Sequence, residues 1–165
     1  MTERFQIPGV AAIIVKEALG IKQILIQERA KIDEPAERGL IEIPAGKIRE
    51  YENIFDTLRR EVFEETGLNV TTIVGKDSAD IVQQRDYKVI SVEPFYISQN
   101  MSGSYLKIIT TFLCQAEGEL VAKSDESENI RWIAIDDLRT LLLSQPEKFY
   151  PMSISVLKKY IGSQI

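Results

Sequence analysis

The sequence predicts a mixed α/β layer architecture, classed as α/β and in some schemes as α+β, and three observations predict it. Short β-rich runs at residues 10–15 and 23–27 flank a turn signal, Ala18-Leu19-Gly20. An amphipathic helical pattern follows between residues 53 and 67. Beyond it, strand-like runs at 88–92, 105–115 and 130–135 precede two helical segments, 136–143 and 153–161.

The stretch AKIDEPAERGL, residues 30–40, is polar and contains Pro35 and Gly39, so it reads as a loop. In IEIPAG, residues 41–46, Pro44 and Gly46 argue against a helix. The helix has a capped start at Asn53, with Asp56 three residues on, and a left-handed stop at Gly67. Its apolar residues Ile54, Phe55, Leu58 and Val62 fall within about 100° of arc at about 100° per residue, one stripe facing a core. Loops are expected at 99–104 and 122–129. Cys114, in TTFLCQA, reads as a small core residue of a buried strand.

With 165 residues, 44% apolar and 27% charged, the chain is expected to form one globular domain over residues 1–165. Its net charge of −5, with scattered basic residues, argues against a binder of nucleic-acid backbones. The N-terminus has no basic region leading into an apolar stretch, and no apolar run is long enough to span a membrane, so a cytoplasmic protein without a membrane partner is expected. One cysteine cannot form an intramolecular disulfide. The absence of histidine excludes His-ligated zinc, Ser-His-Asp and Cys-His machinery. Acid/base chemistry must then come from carboxylates, Lys, Tyr or metal-bound water.

The helix itself poses the chemical question. Glu61, Glu64 and Glu65 crowd one turn directly after Arg59 and Arg60, and like charges at i, i+4 destabilise a helix by roughly 0.2–0.5 kcal/mol per pair. Three carboxylates beside the Pro44-Ala45-Gly46 turn offer hard oxygen ligands of the kind Mg²⁺ or Mn²⁺ takes. A divalent cation would remove the repulsion. It would also create a site for phosphate oxygens and an activated water.

From Gly46, through Glu52, to Arg60-Glu61-Val62-Phe63-Glu64-Glu65-Thr66-Gly67-Leu68, the sequence resembles the Nudix box G-x5-E-x7-R-E-U-x-E-E-x-G-U at every defined position. Seven fixed identities coincide by chance at roughly 10⁻⁹ to 10⁻⁸ per start position. The resemblance implies a Nudix fold, an α/β/α sandwich with a mixed β-sheet, and an Mg²⁺-dependent hydrolase that cleaves a nucleoside diphosphate linked to another moiety. It implies Glu61 and Glu65 as metal ligands, Glu64 as a further carboxylate of the cluster, and the Ala45 carbonyl as a completing ligand. Arg60 is implied to orient Glu64 or Glu52 electrostatically. Gly46 and Gly67 close the loops around the helix, and Glu52 has a structural role.

The segment Asp125-Glu126-Ser127-Glu128-Asn129-Ile130-Arg131 resembles the loop from which ADP-ribose pyrophosphatases take a base. Glu126 is the first candidate, Glu128 the second, and a box glutamate the remaining alternative. IPAGKI and DESENIRW both resemble the ADP-ribose and ADP-sugar group. The box begins at residue 46, which is expected to leave little room for the N-terminal sheet domain through which that group commonly dimerises. That feature is more like nucleoside-triphosphate pyrophosphohydrolases, and a homodimer stays compatible with the resemblance. Tyr87, Phe95, Tyr96 and Tyr105 are aromatics able to stack on a base or to fill the core. A non-catalytic Nudix-fold nucleotide-binding module is the rival of another class, and the complete set of box carboxylates argues against it.

Overall fold

The computed structural model describes residues 2–103 and 105–164. The first half of the chain gives β1 (Ile7–Ala18), β2 (Ile21–Arg29), β3 (Ile41–Glu42), β4 (Ala45–Lys47), α1 (Ile54–Thr66) and β5 (Asn69–Ile73). The second half gives β6 (Asp80–Gln84), β7 (Tyr87–Ser91), β8 (Tyr96–Gln99), β9 (Lys107–Glu117), β10 (Ser127–Ala134), α2 (Ile135–Ser144) and α3 (Pro151–Gly162). Short 3₁₀ turns occupy Pro35–Glu37 and Pro146–Lys148.

Eight strands form one mixed sheet in the order β10-β2-β1-β9-β5, with β3 paired to β2, β4 to β1 and β8 to β9. β1 runs parallel to β9, from Ile7 opposite Lys107 to Ile14 opposite Cys114, and antiparallel to β2 and β4. Side chains alternate across a strand, so β1 feeds two cores at once. Ala11 and Ile13, with Ile24 and Ile26 of β2, pack towards Leu138 of α2 and Leu157 of α3. Val10, Ala12, Ile14 and Leu25 pack towards Phe55, Leu58 and Val62 of α1. Every residue from Val10 to Ile14 is at most 2% exposed, as expected of a strand covered on both faces. The architecture is the α/β/α sandwich with a mixed sheet.

The helix starts and stops where its residues dictate. The Asn53 side chain accepts the Phe55 N–H at 2.9 Å, and Gly67, at φ 79°, donates its N–H to Phe63 O at 2.9 Å. A Cβ on Gly67 would also lie 2.8 Å from Glu119 O. Elsewhere the strands depart from sequence expectation in two ways. β5, β6 and β8 have no sequence signal of their own: NVTTI is a short edge strand, and DIVQQ is exposed throughout. β10 begins at Ser127, inside the segment expected as a loop, because Ser127 and Glu128 pair with the polar Arg29 and Glu28 across a bulge. The loop expected over 99–104 begins inside β8, and Ser104 lies outside the described residues. No helix among the described residues is long and apolar enough to cross a membrane.

Phe112 of β9 is fully buried and meets the Phe55 ring edge-to-face, with centroids 5.3 Å apart. Phe112→Ala is therefore expected to cost about 3–5 kcal/mol in urea unfolding. Phe63→Ala, at a position of α1 that is 56% exposed, is expected to change stability by less than about 0.5 kcal/mol. Similar costs for the two variants would contradict this layering.

Candidate active site

The site is assembled where β4, α1 and the ends of β2 and β10 meet. Pairing of Gly46 with Val10 and of Ala45 with Ala11 fixes β4 beside the central strand. From there the chain turns through residues 48–53 into α1 and places the helix against β4. Gly46 lies in this strand and not in a turn, and its φ is not positive. Its glycine is required by close approach: a Cβ there would lie 1.8 Å from Glu61 Cδ. Only a hydrogen in place of a side chain lets the Glu61 carboxylate rest on the β4 backbone.

Arg60 gathers three of the box carboxylates. Its Nε and Nη2 donate to the two oxygens of Glu52 at 2.8 and 2.9 Å, the paired geometry that suits guanidinium and carboxylate. Nη1 donates to Glu61 and, at 3.3 Å, to Glu64. The bonds from Arg60 hold the Glu52 carboxyl at about 2, with the Arg49 N–H contributing. Glu52 thus ties the loop before α1 to the middle of the helix.

Glu65 occupies the most confined position. It is 3% exposed, and its Oε2 accepts from Gln27 Nε2 at 2.8 Å and from the Ala45 N–H at 3.1 Å. Its other oxygen, Oε1, is buried with no hydrogen-bond partner among the described residues. Burial pushes its pKa well above the carboxylate range, and the neighbouring charges of Glu42 and Glu61 push the same way. Burial also raises Glu61, against the opposing effect of Arg60. Glu64 projects outward with its side chain 51% exposed.

These residues fit a divalent cation, although no three-carboxylate shell is preformed among the described residues. Arg60 draws Glu61 and Glu64 to itself, and Glu64 faces solvent. What argues for the cation is the unpartnered oxygen of Glu65. A buried carboxylate oxygen without a donor is costly, and a hard cation shared with Glu61 would satisfy it.

A cleft opens from this cluster. Ala45, Gly46 and Glu61 line one end, and Arg29, Lys31 and Lys107 contribute cations along it. Ile109, Met152 and Val156 supply apolar wall. Arg29 is held by Glu42 Oε2 at 2.6 Å and by Glu34 and Glu37, with its guanidinium 4.1 Å over the Tyr150 ring. Lys107 makes no salt bridge among the described residues, and its pKa is lowered by burial and then by Arg29.

Glu126 lines the same cleft, whereas Glu128 is not among the described residues that line it. Glu126 is half exposed, its carbonyl accepts the Ala30 N–H at 2.8 Å, and its carboxylate pairs with Lys31. Glu128 lies in β10 opposite Glu28. The four aromatics considered for base stacking do not line the cleft: Phe95 and Tyr96 pack in the core beside α3, and Tyr87 is on the exposed hairpin. Tyr105 sits 4.9 Å from Lys107 Nζ. Arg29, Glu42, Lys107 and Tyr150 had no local signal in the sequence, because strand register and the approach to α3 bring them together from distant segments.

The family model of the NUDIX domain matches residues 6–153. A MutT NUDIX hydrolase from Burkholderia pseudomallei has the same fold at 21% identity, with a TM-score of 0.63 over 95% of this chain and 98% of that one. The NUDIX domain of Shewanella oneidensis NrtR, solved in complex with ADP ribose, superposes with a TM-score of 0.66 at 12% identity, covering 99% of this chain and 91% of that one. An Ap4A hydrolase from C. elegans gives 0.58 at 13% identity, over 96% and 97%. No match was found among curated protein sequences. With the complete box on this fold and a family match over most of its length, the chain belongs to the NUDIX domain family and is a Nudix hydrolase.

Proposed function

We propose that the protein is an Mg²⁺-dependent hydrolase of ADP-ribose or a related ADP-sugar, releasing AMP and a sugar phosphate. The observation that carries the metal-dependent reading is the buried, unpartnered Glu65 oxygen, on a carboxylate held by the Ala45 N–H where Ala45 and Glu61 line a cleft that also holds Arg29, Lys31 and Lys107. Glu61 and Glu65 would hold the ion, with Glu64 and the Ala45 carbonyl completing the set; Mn²⁺ has the same preference for hard oxygen ligands. When bound, the ion supplies Lewis acidity to diphosphate oxygens and lowers the pKa of a water.

The remaining roles fall to this chain's own side chains. Glu126 takes the proton of the attacking water, and Lys31 beside it keeps the carboxylate in place. Lys107, which lines the cleft and has no carboxylate partner among the described residues, would meet the phosphates and offset their charge, while Arg29, in the cleft wall, holds Glu42 and Glu34. Arg60 is a positioning residue: it fixes Glu61 and Glu64 against β4, and Glu52 fixes it in turn. The preference for ADP-ribose is supported by IPAGKI and the segment around Glu126, which lie beside the carboxylate cluster. The related fold of a NUDIX domain that binds ADP ribose is consistent with it.

Glu126→Gln is expected to lower kcat by about 10²–10⁴-fold, the range for a positioned general base, with little change in apparent Mg²⁺ affinity. Glu128→Gln serves as its control and is expected to be nearly silent. If the two effects are reversed, the role passes to Glu128; if both variants are active, the base lies in the box.

The substrate is tested by incubating the protein with ADP-ribose, ADP-glucose and each (d)NTP, with and without EDTA, and separating the products. AMP and ribose 5-phosphate should form from ADP-ribose, only when Mg²⁺ or Mn²⁺ is present. A kcat/KM for any (d)NTP more than about tenfold higher, roughly 1.4 kcal/mol of preferential transition-state binding, would reassign the substrate to the nucleoside triphosphates. Binding without turnover of any of them would favour a sensing module.

A further inference from the structure

The hairpin β6–β7 takes no part in the catalytic reading, and it is the least covered regular structure among the described residues. It forms a two-stranded sheet of its own, paired to neither edge of the large sheet. Two strands alone are marginal in water. One face is covered in part, since Ile90, with Ala79 and Val92 flanking the hairpin, packs on the core that α1 covers, while Ile81 opposite Ile90 stays 56% exposed.

The other face is not covered. Val82 pairs with Val89 and Gln84 with Tyr87, which sets these four side chains on one side. There Val82, Val89 and Tyr87 are 48%, 49% and 72% exposed, and they line a shallow groove with Gln84 and Arg85. The β6 edge is equally open. Its sequence DIVQQ contains no Lys or Pro, and its pairing shows no bulge, so it lacks the devices that usually guard a free edge.

The charges at its ends indicate what fits. Asp80 stands at the base of β6 and Arg85 in the turn at its tip, and neither forms an ion pair among the described residues. An antiparallel copy of the same strand brings tip to base. We propose that β6 pairs with β6 of a second copy of this chain, about a two-fold axis through Val82, to join two hairpins into one four-stranded sheet.

Only a register centred on a residue keeps both outer faces on the same side, because a one-residue slip inverts every side chain. Centring on Val82 sets Val89, Val82, Val82 and Val89 in one continuous apolar row across the two copies. Gln84 of each copy then faces Asp80 of the other, and Arg85 lies beside that same Asp80. A register centred on Gln83 would instead place Asp80 against Asp86. The contact is isologous, so each favourable pairing occurs twice.

Light scattering during gel filtration, across the micromolar range, tests this independently of any substrate. The wild type should elute at twice the chain mass. Asp80→Arg and Arg85→Asp each put like charges at both junctions and should weaken the dimer at least about tenfold. The double exchange Asp80→Arg/Arg85→Asp should restore it, and aspartate is well suited to the positive φ of residue 85. Val82→Lys, which sets two cations on the axis, should give a monomer. All three positions are solvent-exposed, so each variant should stay folded, with an unfolding midpoint close to that of the wild type diluted until its dimer dissociates. A chain that is monomeric throughout, or a dimer indifferent to these exchanges, would overturn the proposal.

Discussion

The burial of the Glu65 carboxylate is the constraint on which the rest of the site depends. A glutamate in the last turn of an amphipathic helix would ordinarily face water, but this one points into the junction of β2, β4 and α1. Gln27 and the Ala45 N–H satisfy one oxygen and leave the other without a partner. Glu42 is buried nearby and adds a like charge, which Arg29 answers at 2.6 Å. Burying a carboxyl beside other carboxylates disfavours its ionised form, and a cation is the component that would complete the shell around Glu65 and favour that form.

Several features of the fold serve this one group. Both neighbours of the carboxylate come from strands: β2 carries Gln27, and β4 offers a backbone N–H because it pairs with β1. The helix must then approach β4 closely enough for Glu61 to reach the same place, which the missing side chain of Gly46 permits. The clasp between Glu52 and Arg60 fixes the loop that connects the two elements. The sandwich layering supports all of this from below, since Phe55, Leu58 and Val62 dock α1 onto the sheet through the same stripe that brings Glu65 inside.

How much of this could be read from the sequence follows from how local each feature is. The helix was legible because its cap at Asn53, its stripe and its stop at Gly67 all lie within fifteen residues. The box carried the carboxylate cluster for the same reason. Gly46 was also legible as a required glycine, but its reason was not: the turn expected there is a strand, and the constraint comes from Glu61, fifteen residues on. β6 and β8 escaped notice because they lack a buried alternating face, and β10 started early because its polar end pairs with polar residues of β2. The cations of the cleft were invisible altogether. Arg29, Lys31 and Lys107 converge only through the register of β1 with β2 and β9, which no local pattern encodes.

The central claim, that the unsatisfied Glu65 carboxylate is a cation site built into the fold, is tested most directly by thermal unfolding of the wild type and Glu65→Gln, each in excess EDTA and in Mg²⁺. A ligand that binds only the folded state raises its stability in proportion to RT ln(1 + [L]/Kd). Mg²⁺ should therefore raise the wild-type midpoint and leave that of Glu65→Gln nearly unmoved, while in EDTA the variant should be at least as stable as the wild type, because a neutral amide avoids the burial and like-charge cost that the carboxyl bears beside Glu42 and Glu61. A wild-type midpoint indifferent to Mg²⁺, together with a Glu65→Gln protein clearly less stable than the wild type in EDTA, would contradict the account and make Glu65 a purely structural residue.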